Sequence, residues 1–376
     1  MTQWAFLNKV QPFLKENFIK ANFTVPTEVQ EQTAETIMEG KDLIAESPTG
    51  TGKTLAYVLP LLEKINTSTK NPQVVILAPS RELVMQIYQV ILDWKKGSDI
   101  QALSLIGGAN IKKQLENIKK KGPHIIVGSP GRIYEIIKMK KLKMHEVKTI
   151  VLDEVDQLVV SEHVGTVKDI IKSTLRDRQI LCYSATLRAD VEKTLLEITN
   201  DAIVMKFKLK KKDSGKVKHQ YIVASQRDKV KVLQKLSHIE GMQALVFVRD
   251  IAHLATYAEK LEFHHVRVGV LHSEVGKVER SQILKAFKEG KYTLLLATDV
   301  AARGLDIKDL PYVIQTDTTK EETYIHRSGR TGRAGKKGTV ISLVTPSEVS
   351  HLKKLAKQIK IDIQEIVLSR GKLEVR

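Results

Sequence analysis

The strongest constraint on the fold is a repeated alternation. Short runs that are apolar at nearly every position are each followed by a stretch of helical length. The runs are Asp42-Leu43-Ile44-Ala45, Val74-Val75-Ile76-Leu77-Ala78, His124-Ile125-Ile126-Val127, Thr149-Ile150-Val151-Leu152 and Gln179-Ile180-Leu181. They are often β-branched, and Pro, Gly, Ser or Asp closes them. A strand apolar on both sides belongs between two helical layers, which is the setting of a parallel sheet. Residues 81–95 and 164–175 have amphipathic, helix-length patterns between such runs. The alternation predicts an α/β domain.

The pattern breaks over residues 206–218, which are basic, polar and poor in core material. Strand signals resume at Ala244-Leu245-Val246-Phe247-Val248, 266–271, 293–297, Tyr312-Val313-Ile314 and 339–344. A helix and a short terminal segment are expected over 346–368. The chain has 376 residues, too many for one ordinary core at about 150 residues per domain. We therefore expect two similar α/β domains, 1–205 and 219–376, joined by a basic linker at 206–218.

Lys and Arg number 61 against 43 Asp and Glu, a net charge of +18. That excess favours a polyanionic partner and disfavours a cationic one. Runs such as 138–143, 206–212 and Lys336-Lys337 are either polyanion-facing patches or solvated faces. The single cysteine, Cys182, excludes an internal disulfide and a cysteine zinc site. Its apolar neighbours predict a buried thiol. No run reaches the ~18 apolar residues of a membrane span, and Met1-Thr2-Gln3-Trp4 does not begin a secretion signal. A soluble, cytoplasmic protein is expected.

The chemistry begins at Ser47-Pro48-Thr49-Gly50-Thr51-Gly52-Lys53-Thr54, between a strand and a helical stretch. Glycines let backbone N–H groups converge on phosphate, and a helix N-terminus adds positive potential. Lys53 is placed to reach the β and γ phosphates of a nucleotide, and Thr54 to turn its hydroxyl toward Mg²⁺. Ser47 stands where a glycine is usual. Asp153-Glu154-Val155-Asp156 then closes the strand at 149–152. A carboxylate there suits Mg²⁺ beside the phosphates, and Glu154 suits activation of the attacking water. Asp156 is either part of this site or a helix cap.

With these two elements the chain resembles the DEAD-box RNA helicases of superfamily 2, over nearly its whole length. Its core is of the minimal bacterial type, with DEVD at the naming tetrad. Phe23-Thr-Val-Pro26-Thr27-Glu-Val-Gln30 is similar to the Q motif, with Phe13 at the upstream aromatic position. The resemblance implies that Gln30 reads adenine and that Phe23 stacks on it. Pro79-Ser80-Arg81-Glu82-Leu83, Gly107-Gly108 and Ser129-Pro130-Gly131-Arg132 resemble elements that line an RNA backbone groove. Ser184-Ala185-Thr186 resembles the element that couples nucleotide to domain closure. Phe247-Val248-Arg249-Asp250 is a loose motif IV. Residues 297–306 and His326-Arg327-Ser328-Gly329-Arg330-Thr331-Gly332-Arg333 match motifs V and VI.

The resemblance implies two RecA-like domains, ATP and Mg²⁺ as cofactors, and RNA held largely through its backbone. It makes Arg330 and Arg333 arginine fingers on the γ-phosphate and gives Asp299 the ribose. Arg81, Gly108, Ser129, Arg132, Arg249, Thr298 and Gly304 would contact RNA. Asp156, Ser184, Thr186, Arg303 and His326 would couple ATP to RNA. A monomer is expected, with ribosomal particles or other proteins as further partners. Ribosome assembly, RNA turnover and growth in the cold are the services the family suggests. Glu28, Asp250, Lys277 and the turn Asp317-Thr318-Thr319 depart from the family pattern and bear on the second domain's RNA contacts and the Q motif. Two alternatives stand beside this reading. A DNA-directed superfamily 2 translocase would respond equally to matched RNA and DNA. An ATP-gated RNA clamp or assembly scaffold would bind RNA without unwinding short duplexes.

Overall fold

The computed structural model describes residues 4, 6–7, 10–21, 23, 25–48, 50–159, 164–207, 217–302, 310–332, 337–369 and 371–376. The chain divides into two compact units, Met1–Lys208 and Leu209–Arg376.

The first unit is built on seven strands: β1 (Leu43–Glu46), β2 (Val74–Leu77), β3 (Ala102–Leu105), β4 (Ile125–Gly128), β5 (Thr149–Asp153), β6 (Gln179–Ser184) and β7 (Ile203–Lys206). Their order across the sheet is β3-β4-β2-β5-β6-β1-β7. Every pairing is parallel. Successive side chains leave a strand on opposite faces. Val74 and Ile76 accordingly enter one hydrophobic cluster, and Val75 and Leu77 enter the other. The first cluster packs under the helices Lys53–Lys64 and Arg81–Trp94, the second under Pro130–Lys138 and Val164–Lys172.

The second unit repeats the scheme with β8 (Val217–Val223), β9 (Ala244–Phe247), β10 (Val268–Leu271), β11 (Leu294–Ala297), β12 (Tyr312–Gln315), β13 (Gly338–Val344), β14 (Ile363–Ser369) and β15 (Lys372–Val375). The order is β10-β11-β9-β12-β13-β8-β14-β15. All pairs are parallel except the terminal hairpin of β14 and β15. Both units are RecA-like α/β domains with mostly parallel sheets. The terminal helix spans Val349–Gln358, and the segment after it forms that hairpin.

The basic segment is shorter than the sequence suggests. Lys206 ends β7 and Val217 opens β8, so 206, 217 and 218 belong to strands, not to a linker. Both strands alternate partly buried with exposed residues at these ends, and an exposed position accepts lysine without cost to the core. Lys206 also pairs with Glu192 at 2.6 Å. Cys182 is buried in β6, and burial pushes its thiol up. Among the described residues no helix is long and apolar enough to cross a membrane.

Candidate functional site

In the first unit the site is assembled at the carboxyl ends of β1, β5 and β6. Strand β1 runs into the loop at residues 47–52, and the helix Lys53–Lys64 follows. Gly50 and Gly52 have φ of 82° and 89°, left-handed conformations that a side chain resists. A Cβ on Gly52 would also collide with the Gln30 Nε2 atom. Ser47 is fully buried. Its amide donates to Ser184 O at 2.9 Å, and its hydroxyl lies 2.7 Å from Thr51 Oγ1. Serine therefore fits here because its hydroxyl braces the loop. Lys53 Nζ donates to Ser47 O at 2.5 Å and Pro48 O at 3.0 Å, which sets the ammonium inside the loop's curve. Thr54 stands half-buried in the first turn of the helix.

Gln30 is 2% exposed. Its Oε1 accepts from Thr27 N at 2.9 Å, and its Nε2 donates to Gly52 O at 3.2 Å. A carboxamide has two donor hydrogens and two lone pairs, so each end keeps capacity for a base edge. Phe23 packs among Trp4, Phe18 and Trp94, with centroids 5.0–6.0 Å away. Trp4 is stacked on it, so an adenine would meet the ring's other face or its edge. Phe13 is a core residue, 8% exposed.

Asp153 is 3% exposed at the end of β5. Its Oδ2 accepts from Tyr57 OH at 2.8 Å, and its Oδ1 from Glu154 N at 2.9 Å. Burial, and then the Glu154 charge, push its carboxyl up to about 6. Glu154 has φ 51° and ψ 51°, left-handed values that carry real strain outside glycine. The kink turns its side chain out of the strand line, where Gln157 Nε2 donates to it at 3.2 Å. Asp156 is buried, and the Ser184 hydroxyl donates to its Oδ1 at 2.5 Å. Thr186 N in turn donates to Ser184 Oγ at 3.2 Å, while the buried Thr186 Oγ1 has no partner. Asp156 is thus linked through Ser184 to Thr186.

A second group of expected residues gathers on one side of the same unit. Gly108 has φ 74°, and the Arg81 guanidinium lies so close that a Cβ would strike it. Arg132 is drawn into the same loop. Its Nη1 donates to Ala109 O at 3.1 Å and Gln114 Oε1 at 3.2 Å, and Glu135 pairs with it at 3.0 Å. This arginine ties the loop that follows Gly108 to the helix Ile111–Lys121. Ser129 is half-buried, and its amide donates to Leu105 O.

In the second unit, Arg249 is exposed beside Asp250. Asp250 caps the helix Ile251–Phe263, accepting from His253 N at 2.9 Å, and so replaces threonine as one good cap for another. Thr298 is buried, and Asp299 opens the short helix Asp299–Ala302. Arg327, 2% exposed, grips Asp299 through two bonds of 2.7 Å and also reaches Asp317 at 3.2 Å. His326 precedes it, and Arg330 lies just past the helix Glu321–Ser328. Arg280 donates to Ala301 O at 2.5 Å. Thr49, Arg303, Gly304 and Arg333 lie outside the described residues, as does most of 206–212.

Two residues at these sites carry no sequence signal that we read, and a third, Arg327, was matched within motif VI without a role. Tyr57 and Gln114 act through contacts 96 and 18 residues apart, and Arg327 through one 28 apart. Tyr57 follows Lys53 by four positions on one helix, and that spacing was the available clue.

A RecA-like sheet that opens into a phosphate-cradling loop, with an acidic pair ending the strand two places away, defines a nucleotide-driven motor. A second RecA-like unit in one chain narrows this to the helicase type. Residues 27–194 match the family model described as DEAD/DEAH box helicase, and 228–335 match that of the helicase conserved C-terminal domain. The chain is 63% identical, over 100% of both chains, to the probable ATP-dependent RNA helicase YfmL of Bacillus subtilis. It is 49% identical to the DEAD-box ATP-dependent RNA helicase CshC of Bacillus cereus, covering 97% of this chain and 94% of that one. The structure of S. cerevisiae Dbp5 bound to RNA and ADP BeF3 superposes with a TM-score of 0.86 at 27% identity, covering 97% of this chain and 95% of that one. The chain belongs to the DEAD-box family of ATP-dependent RNA helicases.

Proposed function

We propose that ATP binds the first unit over the loop at residues 47–54, with Gln30 on the adenine, and that its hydrolysis drives local opening of short RNA duplexes or remodelling of RNA–protein complexes. The observation that carries this is the seat of Asp153 and Glu154. One carboxylate is buried and fixed by two hydrogen bonds at the end of β5, and its neighbour is turned away by a left-handed kink.

Lys53 exchanges the carbonyls of Ser47 and Pro48 for β and γ phosphate oxygens. Thr54 and Asp153 are the residues that would hold Mg²⁺, partly through water. The fit is chemical. Mg²⁺ takes few protein ligands and keeps water and phosphate oxygens, so one fixed carboxylate and one hydroxyl suffice. Each Asp153 oxygen retains a lone pair beyond its bond to Tyr57 or Glu154. When bound, the ion neutralises charge building on the phosphates. Glu154 takes the proton of the attacking water. Arg330 and Arg333 neutralise the γ-phosphate, an effect worth ~10³ to 10⁵ in rate for such fingers. Asp299 takes the ribose.

RNA runs over Arg81, Gly108, Ser129 and Arg132 on the first unit and Arg249, Thr298 and Gly304 on the second. These groups suit phosphate and sugar, so sequence preference is weak and the 2′-hydroxyl favours RNA. ATP and RNA each draw on residues of both units, and linkage makes their binding and the closure it favours mutually cooperative. Asp156, Ser184 and Thr186 pass the nucleotide's state to this closure, with Arg303 and His326 on the second unit. The protein works as a cytoplasmic monomer, and ribosomal particles are one candidate substrate.

The test is steady-state ATPase activity with single-stranded RNA, with matched DNA and with neither, beside Glu154→Gln. RNA alone should stimulate hydrolysis, and the substitution should lower the rate about 10² to 10⁴-fold with ATP binding retained. Equal stimulation by DNA would sink the RNA-specific reading. RNA-stimulated hydrolysis without opening of a short duplex would select the clamp.

A further inference from the structure

Tyr57 has no part in the reading above, yet it touches the site's central acid. It lies on the helix that begins with Lys53, and its side chain is fully buried. Its hydroxyl donates to Asp153 Oδ2 at 2.8 Å. Because Glu154 N donates to Oδ1 at 2.9 Å, both oxygens are claimed and rotation of the carboxylate about χ2 is closed off. The phenol ring is held in place by Tyr183, 5.2 Å away and tilted by 51°. A buried hydroxyl needs its partner, since an unmade bond there carries the full desolvation penalty. A phenylalanine would fill the same space and leave Asp153 Oδ2 without that donor. The contact also joins the two halves of the nucleotide site, because one helix carries both Lys53 and Tyr57 while β5 carries Asp153.

We propose that Tyr57 is a positioning residue for nucleotide hydrolysis, its hydroxyl holding the Asp153 carboxylate in the one orientation that receives the metal-bound nucleotide. The proposal rests on the reading that Asp153 serves Mg²⁺. Tyr57 acts through that carboxylate, and its hydroxyl also meets the Thr54 side chain.

The test uses the full chain with Tyr57→Phe, Asp153→Asn and Tyr183→Phe. Two quantities are measured: the affinity for a fluorescent ATP analogue in Mg²⁺ and in EDTA, and RNA-stimulated turnover against free Mg²⁺. Tyr57→Phe should weaken binding about tenfold in Mg²⁺ and leave it unchanged in EDTA, the size expected for one hydrogen bond to a charged group. Its Mg²⁺ midpoint should rise, and excess Mg²⁺ should restore turnover. Tyr183→Phe removes a neighbouring buried hydroxyl and should shift neither quantity. Affinity lost equally in Mg²⁺ and EDTA, or a Tyr183→Phe shift of the same size, would overturn the proposal in favour of packing. A wild-type Mg²⁺ midpoint in Tyr57→Phe, beside a lost Mg²⁺ response in Asp153→Asn, overturns the role of Tyr57 alone. An unchanged Mg²⁺ response in Asp153→Asn removes the reading of Asp153, and this proposal with it.

Discussion

Replacing Arg327 by alanine takes a cation bound to two carboxylates out of the second unit's interior. The guanidinium is 2% exposed and holds Asp299 through Nε and Nη2 at 2.7 Å each. It reaches Asp317 at 3.2 and 3.3 Å, and it lies over the Phe247 ring at 5.0 Å. Burial pushes the Asp317 carboxyl up, and Arg327 pulls it back. Alanine leaves two carboxylates facing each other, with Lys229 still drawing on Asp317 but nothing bonded between them. Removing one partner of such a buried pair costs about 3–5 kcal/mol. With a urea slope of about 2 kcal/mol/M, the unit should unfold roughly 2 M earlier. The chain supplies its own way to isolate that unit. Its two tryptophans, Trp4 and Trp94, both lie in the first unit, so tryptophan fluorescence follows that unit and far-UV circular dichroism follows both. The dichroism transition should split while the fluorescence transition stays in place. Arg327→Lys should recover only part of the loss, because an ammonium lacks the planar fork. Adding Asp299→Asn and Asp317→Asn to Arg327→Ala should recover more. A dichroism midpoint within about 0.5 M of wild type, or no recovery from the asparagines, would refute the argument from stranded charge.

Two further outcomes follow from the geometry. Burial lowers the His219 pKa to about 4, with its Nδ1 2.9 Å from Tyr324 OH. The folded ring stays neutral where the unfolded one, near 6.5, takes a proton. Stability is therefore intact above pH 6.5 and falls by about 3 kcal/mol as pH drops toward 4. His219→Phe should flatten that limb of the midpoint-against-pH curve, and an identical acid loss in the variant would rule the histidine out. Gly108→Ala adds a left-handed strain of about 1–2 kcal/mol and displaces the Arg81 guanidinium. Single-stranded RNA affinity by fluorescence anisotropy should fall about tenfold with ATP affinity unchanged, and unaltered RNA binding would remove this loop from the RNA track.

The central strands could be read from the sequence because they are covered on both faces. Val74-Val75-Ile76-Leu77 has no polar side to confuse with a helix stripe. Strands with an exposed, charged end could not. Residues Ile203–Lys206 are alternately half-buried and exposed, and Val217–Val223 has an exposed Lys218 at its second position, so both look like charged coil. The phosphate loop was legible because its geometry is local and written in consecutive residues. The acidic pair was legible because a parallel strand's tip is a predictable place. What escaped was chemistry made by packing distant segments together: Tyr57 on Asp153, Gln114 on Arg132, Arg327 between two aspartates. Asp250 was visible as a departure, but its sense as a helix cap needed the helix start to be known.

Gln30 binds both its own helix start and the carbonyl of Gly52. Under the reading proposed here, the group that inspects the base is thus bolted to the group that cradles the phosphates. A nucleotide with the wrong base edge would pull on this amide and shift the loop with it. Base choice would then be felt as misalignment of the scissile bond as well as weaker occupancy. Discrimination against other nucleotides would be larger in turnover than in binding, a form of proofreading by geometry that needs no second checkpoint.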